Sequence, residues 1–483
     1  MENSDTKKEI IKFCFQKNVL VNPLFLSNLR EEDVKKVYEK ILKNTDLTVL
    51  DESIFANNKK CETLAKGKVN ILFNYQEKPK KRTEQDFISY FNTRYKSLEK
   101  ILKNRIELQD TISINKALAK KQRDDVSLIG LIESKQITKN NNLLLGLEDP
   151  TGKINILITK TKKELFQKAQ DLVEDETIGV TGVLGNKIVF VNNILWPDVP
   201  VTKEYKKSDE EGYAVFISDI HVGSNLFLEK QFNHFVEWLN GNVGNEEHKE
   251  MARKVKYVFI VGDLIDGCGI YPGQDEELII KDIYEQYKKC AELLSKIPCS
   301  IKIIISPGNH DALRLAEPQP QLYMDFAKSF YDLPNVVLVS NPALVNIDRT
   351  DSFEGFDVLM YHGYSFDYYF ANVDSIRTQG GYDRPDLLMK FLLQRRHLAP
   401  THASTLYLPD SEQDPLIIDK VPDFFVTGHI HKAGISNYKN ITLICASCWQ
   451  AKTLFQDKVG HHPEPARVPV VNLKTRKVKV LKF

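Results

Sequence analysis

The spacing of apolar residues changes character several times along the chain. Residues 5–17 (DTKKEIIKFCFQK) and 30–44 (REEDVKKVYEKILKN) carry helical periodicity, the second through Val34, Val37, Tyr38, Ile41 and Leu42. They predict a small helical module over residues 1–50. Residues 51–82 lose periodicity and end in the basic run Lys78-Pro79-Lys80-Lys81-Arg82, the pattern of a flexible or partly extended linker. Helical period returns over 84–105 through Phe87, Phe91, Tyr95, Leu98 and Leu102. Arg94, Lys96, Lys100, Lys103 and Arg105 are set off that face, so a helix packed on the domain C-terminal to it is expected.

From Val126 to Trp196 the runs shorten and become β-like: VSLIGLIES, NLLLGLEDPTGKINILIT, a helical KKELFQKAQDLVEDE, then TIGVTGVLGNKIVFVNNI. Asp149-Pro150-Thr151-Gly152 and Gly185-Asn186 supply turns. Three strands, a helix and a hairpin are the order of an OB-fold barrel, expected within 83–205. Only Phe166, Phe190 and Trp196 offer stacking rings there, fewer than a nucleic-acid face of this kind carries, which favours a scaffold barrel. Over 211–483, strands (YAVFIS, YVFIV, IKIIIS, DVLMY, DFFVTG) alternate with helical segments, as in a layered α/β domain.

Composition narrows the class. With 483 residues, 42% apolar and 27% charged, 20 Pro and 23 Gly, wholesale disorder is excluded. No apolar run approaches the ~20 residues that span a bilayer. Met1 to Ile10 shows no apolar segment behind a basic start, so a soluble, cytoplasmic chain without a membrane partner is expected. Seven scattered cysteines suit reduced thiols, and Cys445-Ala446-Ser447-Cys448, lacking a second pair, reads as two buried thiols rather than a zinc site. The net charge of +1 hides an asymmetry: residues 1–210 hold 37 basic and 31 acidic side chains, and 59–122 alone hold 16 and 7. Either a polyanion such as DNA or a solvated Lys-rich face accounts for that stretch.

The chemistry gathers at strand ends. Asp219-Ile220-His221, Gly262-Asp263-Leu264-Ile265-Asp266, Gly308-Asn309-His310-Asp311, His362-Gly363 and Gly428-His429-Ile430-His431 each follow a predicted strand. Carboxylate, amide and imidazole together, without cysteine, suit a hard-to-borderline divalent ion such as Mn²⁺, Fe²⁺ or Zn²⁺. Asp-x-His and His-x-His put both members of a pair on one side of an extended segment. The neighbouring glycines allow sharp turns and leave room for phosphate oxygens.

This ordered set resembles the calcineurin-like metallophosphoesterases, whose five motifs read D-x-H, G-D-x-x-D, G-N-H-D, H and G-H-x-H. The resemblance implies a layered α/β/β/α domain and two divalent metal ions, with Mn²⁺ the expected species. Asp219, His221, Asp263 and His431 would hold one ion; Asn309, His362, His429 and the shared Asp263 would hold the other. His310 would stabilise the transition state and protonate the leaving oxygen, with Asp266 orienting it. A bridging carboxylate sets such cations about 3.5–4 Å apart, with an attacking hydroxide between them. Asp311 reads as a turn or strand-end hydrogen-bonding residue.

The flanking sequence narrows the resemblance further. Asp86-Phe87 through Arg105, Phe216 to Ser224, Pro307 to Ala312 with Ala316-Glu317-Pro318-Gln319-Pro320, Arg396 to Thr401, Trp449-Gln450 and Pro465 to Val470 are similar to the small subunits of archaeal family-D DNA polymerases, from about Arg82 to Phe483. That implies a 3′→5′ exonuclease acting on single-stranded or mispaired DNA ends, in a heterodimer with a large catalytic subunit; a sliding clamp would be met only through the complex. Related polymerase B subunits that lost their ligands are scaffolds, and free-standing phosphatases or nucleotidases share the chemistry; the retained ligands and the barrel speak against these alternatives. In the insertion before His429, Asp383 to Arg396 has Leu387, Leu388, Phe391 and Leu392 on one face and Lys390, Arg395 and Arg396 off it. That helix is expected to cap the pocket, with Arg395 and Arg396 holding DNA, unless it simply packs on the core.

Overall fold

The computed structural model describes residues 2–17, 19–29, 37, 49–50, 66–77, 80–409, 412–458 and 460–483. The first helix, Glu2–Gln16, forms where expected and buries Ile10 and Cys14 against Phe25, Leu29, Val37 and Leu50. A two-strand parallel ladder, Leu20–Val21 with Val49–Leu50, closes this small core. The helix expected over 30–44 lies outside the described residues except for position 37. No helix among the described residues is long and apolar enough to cross a membrane.

A five-stranded closed barrel comes next, in the order Asp125–Ile137, Leu143–Asp149, Gly152–Ile158, Ile188–Leu195, Thr177–Leu184. The last strand pairs back on the first, so no edge is left open. Both sequence turns form: Asp149 Oδ1 accepts from the amides of Thr151 (2.7 Å) and Gly152 (3.0 Å), and Gly185 N donates to Ile188 O (2.7 Å). The helix Lys163–Gln170 lies between the third and fourth strands in sequence.

Residues from Tyr213 onward build two sheets packed face to face, the first six-stranded and the second with five strands of this region and a sixth from earlier in the chain. In the first, Lys302–Ser306, Val255–Val261 and Tyr213–Ile217 run parallel at the centre. In the second, Phe356–Met360, Phe424–Thr427 and Ile441–Cys445 are parallel. Alternation decides the layers. Ala214 and Phe216 face the second sheet, where Phe216 stacks on Phe259 (5.0 Å, 13°), whereas Val215 and Ile217 face an outer helical layer with Phe232, Phe235 and Leu294. The second sheet's far face is covered by Leu388, Leu392 and Tyr369, completing the α/β/β/α layering.

Two expectations are corrected. The stretch read as linker contains a strand, Val69–Asn74, which pairs antiparallel with Ala343–Ile347 as the edge of the second sheet. Its ends are pinned by Tyr257 Oη donating to Lys68 O (3.1 Å) and Ser340 N donating to Asn74 Oδ1 (2.7 Å). An edge strand is half-exposed and polar on one side, so its pattern resembles that of a linker. Linker residues 51–65 and 78–79 lie outside the described residues.

The second correction concerns helix Glu84–Leu102, which forms as expected and buries Tyr95, Leu98 and Leu102 of the expected face. It also buries Tyr90 and Arg94, the latter set off that face by the sequence, while Phe87 stays 37% exposed. Arg94 is fully buried because Asp414 receives its Nε at 2.6 Å, along with Tyr90 Oη (2.7 Å) and His397 Nε2 (2.9 Å). Arg94 also donates to Pro400 O (2.9 Å). A buried charge with this many partners is a staple between the helix and the layered domain.

Candidate metal centre

All five ligand segments leave the C-terminal ends of parallel strands, so both sheets deliver their side chains to one rim. The loops interlock: Asp219 N donates to Gly262 O (3.0 Å), Ile220 N to Asp263 O (2.7 Å) and Gly428 N to His362 O (2.9 Å). Three motif glycines are required by close approach. A Cβ on Gly262 would run into the His362 ring, one on Gly308 into the Asp263 carboxylate, and one on Gly428 into Ser218 and Asp219. Asp219, His221, Asp263, His429 and His431 all have φ between 52° and 67°, a left-handed backbone that non-glycine residues seldom adopt.

The sequence-chosen ligands come together in two groups. Asp219 Oδ1 lies 3.3 Å from His431 Nε2 and 3.9 Å from His221 Nε2, and the two imidazole nitrogens are 3.1 Å apart. In the other group, His362 Nε2 is 3.0 Å from Asn309 Oδ1 and 3.2 Å from Asp263 Oδ2, and His429 brings a ring nitrogen within 4.8 Å of the ligand atoms of Asp263 and His362. Asp263 Oδ2 is also 4.0 Å from His221 Nε2, so one carboxylate faces both groups. Its Oδ1 accepts the main-chain N–H of His310 at 2.8 Å.

A test of whether cations fit lies in the donors. His362 Nδ1 must donate to Val261 O (2.8 Å), which leaves the Nε2 of the neutral ring with a lone pair aimed at two acceptor oxygens. Three acceptors converging with no proton between them are repulsive unless a cation, or an added proton, sits there. In the protein alone protons take that place. Burial would keep His362 neutral, but the Asp263 carboxylate raises its pKa to about 10. His431 shifts upward too, opposing its burial beside Cys448 and Asp219. Burial would raise the carboxyl of Asp263, but the His362 and His310 rings hold it well below the usual range. The donor set therefore fits two divalent ions bridged by Asp263.

His310 sits at the edge of this cluster, its ring edge-on to His221 (4.8 Å, 89°). Its Nδ1 donates to the main-chain carbonyl of Asp266 (2.8 Å), which leaves Nε2 as its reactive nitrogen. Asp266 thus orients His310 as expected in outcome but through its backbone. Its carboxylate serves His221, with Oδ1 3.0 Å from Nδ1, a close contact rather than an aligned hydrogen bond. Gln450 Nε2 donates to Asp266 Oδ1 (2.9 Å) and Gln274 Nε2 to Oδ2 (3.0 Å). Asp311 takes the structural role read for it, accepting from Gly308 N (2.8 Å) and Tyr287 Oη (3.2 Å). Burial, with Asp263 nearby, pushes its carboxyl up to about 7. Cys445 and Cys448 are buried free thiols.

Arg395 and Arg396 do not join the site. Both are buried: Arg395 Nε is 2.7 Å from Glu176 Oε2 of the barrel and its guanidinium lies over Phe391, while Arg396 donates to the carbonyls of Ile418 and Asp419. Helix Pro385–Arg395 buries residues nearly all round, including Leu388, Met389, Phe391, Leu392 and Leu393, so a residue off the apolar stripe still faces protein. Arg395 ties the barrel to the layered domain, and Arg396 ties the helix end to the 418–419 backbone, instead of holding a strand.

Sequence reasoning missed the outer supports. Asp367 Oδ2 lies 3.0 Å from His429 Nε2; burial would raise its carboxyl, but His429 and Tyr382 bring it to about 2. Asn341 Oδ1 accepts from His362 N (2.9 Å), and Gln456 engages His431 Nδ1 (2.9 Å). Such partners fix ring orientation in metal sites. Asp367 and Gln456 stand on the short helices Phe366–Asn372 and Leu454–Lys458 and Asn341 in a loop before a proline, with nothing local in the sequence to mark them.

The calcineurin-like phosphoesterase family model matches residues 214–433. Among curated proteins, the DNA polymerase II small subunit of Methanothermobacter thermautotrophicus is 42% identical over 387 residues, covering 80% of this chain and 77% of that protein. That of Archaeoglobus fulgidus is 42% identical over 386 residues (80% and 75%), and that of Pyrococcus furiosus 39% over 400 residues (82% and 63%).

Proposed function

The chain belongs to the DNA polymerase II small subunit family, and we propose that it is the 3′→5′ exonuclease subunit of a two-subunit DNA polymerase, removing unpaired or mispaired 3′ ends. The observation that carries this reading is the complete, convergent acceptor set at the strand ends, with His310 fixed beside it. Two divalent cations, Mn²⁺ by the mixed N/O donors, would supply Lewis acidity toward the phosphate and an activated water.

The chain's own residues supply the rest. Asp263 holds the two ligand groups in register, and the Asp266 carbonyl fixes the His310 ring through Nδ1–H, so that Nε2 faces the leaving 3′ oxygen and, when the ring is the imidazolium, would pass its proton to it and return to the neutral Nδ1–H form. Gln450 and Gln274 keep Asp266 in place. The barrel reads as an OB-fold from its strand order and the helix between its third and fourth strands. Of its three stacking candidates Phe190 is 45% exposed, while the Trp196 indole donates to Glu176 (3.2 Å), which supports a scaffold role. A large catalytic subunit would dock on the barrel and the layered domain, and a sliding clamp would be met through that complex.

The test is hydrolysis of end-labelled single-stranded and mismatched oligonucleotides with Mn²⁺, Mg²⁺ or chelator. Mononucleotide release from the 3′ end that stops with chelator is expected. Activity that survives chelation, or that is confined to phosphoproteins, overturns the reading.

A further inference from the structure

A cleft of about 560 Å³ opens beside the metal centre, within the range of small-ligand sites. It is lined by rings from three separate segments: Phe87 of helix Glu84–Leu102, Tyr364 and Tyr368 after His362, and His402 with Tyr407 of the insertion. The link to the centre is direct. Asp367, which holds His429 Nε2 at 3.0 Å, is in the cleft wall, and the Tyr364 ring stands edge-on to the His429 ring at 6.0 Å. His402 is exposed yet held in place, stacked on Tyr407 (5.2 Å, 11°) and met edge-on by Phe87 (6.1 Å) and Phe91 (5.8 Å).

The charge of the lining chooses the ligand. Among the described residues Asp367 is its one acidic side chain, already engaged by His429 and Tyr382 Oη (2.8 Å), and neither Lys nor Arg lines the cleft. A phosphate-binding groove would carry Lys or Arg. A neutral slot of rings, with Leu406 58% exposed at its lip, is suited to a flat aromatic ligand.

We propose that this cleft stacks an unpaired nucleobase at the 3′ end of the strand while the adjoining phosphodiester lies at the metal centre. The inference rests on the phosphodiesterase reading of that centre. It gives single-strand selectivity a physical origin, since a base must leave the duplex stack before it can enter. It also gives the exposed ring of Phe87 a place in recognition.

The test compares the full-length protein with His402→Ala and Tyr368→Ala on two single-stranded oligonucleotides, one ending in ordinary nucleotides and one abasic at its last two positions. Stacking on one or two rings corresponds to roughly tenfold or more in binding. The wild type should therefore favour the base-bearing end about tenfold in kcat/KM, through KM, and each variant should bring that ratio toward one. A second readout needs no turnover: 2-aminopurine at the 3′ end, bound with Ca²⁺ in place of Mn²⁺, should be quenched by the wild type and less by the variants. Equal ratios in wild type and variants with equal quenching overturn the cleft while leaving the nuclease intact. Quenching that depends on His402 with neither DNA hydrolysed upholds the cleft and overturns the nuclease reading. Loss of a co-purifying large subunit from the variants, with ratios unchanged, would reassign the cleft to a protein partner and overturn the proposal.

Discussion

His310→Ala separates proton transfer from metal holding more sharply than any other change. The ring contributes one hydrogen bond, from Nδ1 to Asp266 O; it lies close enough to His221 and Asp266 to form a third candidate ligand cluster, but it supplies no atom to the two groups that Asp263 faces. The main-chain N–H that braces Asp263 Oδ1 at 2.8 Å survives in the alanine variant, so both cations should stay bound. What is lost is a positioned proton donor, about 10²- to 10⁴-fold in rate. At about 1.36 kcal/mol per factor of ten, that is about 2.7 to 5.4 kcal/mol of transition-state stabilisation. His310→Gln, which keeps a side-chain amide able to reach Asp266 O but cannot shuttle a proton, should lose nearly as much. The assay is single-turnover digestion of an end-labelled oligonucleotide beside metal content by mass spectrometry and primer extension by the reconstituted complex. Primer extension should persist, since His310 lies outside the large subunit. Digestion by His310→Ala at the wild-type rate, or loss of its metal, would refute the assignment.

Asp263→Ala should abolish both metal binding and hydrolysis, because one carboxylate faces both ligand groups, while primer extension persists; retention of two ions would place the bridge elsewhere. Asp414→Ala leaves the Arg94 guanidinium buried without its counter-ion and should cost about 3–5 kcal/mol, read as a lower urea midpoint. Arg395→Glu sets a second carboxylate against Glu176 and should lower stability by a comparable amount, about 3 kcal/mol or more; a stable variant with a raised KM for DNA would restore the strand-holding role. Deleting residues 1–65 should leave a complex that co-purifies and extends primers, whereas deletion through residue 75 removes a strand of the second sheet and should yield insoluble protein.

The candidate ligand set was legible in the sequence because its chemistry is local: one to three polar residues and a glycine at each strand end, in an order that few other sites share. The folds around them were legible for a similar reason. Period-two runs punctuated by Asp149-Pro150-Thr151-Gly152 and Gly185-Asn186 dictate hairpins whatever they pack against. What was not legible depends on neighbours distant in sequence. Arg94 and Arg395 look like solvated charges on helical wheels, and only Asp414 and Glu176, hundreds of residues away, make their burial tolerable. The strand Val69–Asn74 shows only a short alternation, Val69, Ile71 and Phe73 against Asn70 and Asn74, broken at Leu72, and the strand it pairs with, Ala343–Ile347, is distant in sequence. Asp266 shows the limit at finer scale: its type and spacing were read correctly, but whether the carboxylate or the carbonyl meets His310 depends on a backbone that motif spacing does not describe.

The strain at the site explains why so much of the surrounding structure is polar and buried. Five ligands held at left-handed φ cost on the order of 1 kcal/mol or more each, and the converging acceptors add repulsion to that cost. Neither term relaxes unless the loops move, and the loops are clamped. Asp219 O accepts from Trp449 N, and Gln450, the next residue, holds Asp266; Gly428 and Gly308 pack where any side chain would displace a ligand carboxylate. A scaffold that no longer used the centre would have no reason to keep this arrangement, since converting Asp219 to an apolar residue would relieve acceptor repulsion and desolvation together. The combination of strained ligands, supporting glutamines and close-packed glycines is therefore a stronger argument for a cation-binding role than the ligand residues alone, because each of these features lowers stability or constrains sequence, and protonation of the rings offsets the acceptor repulsion but gives the arrangement no use.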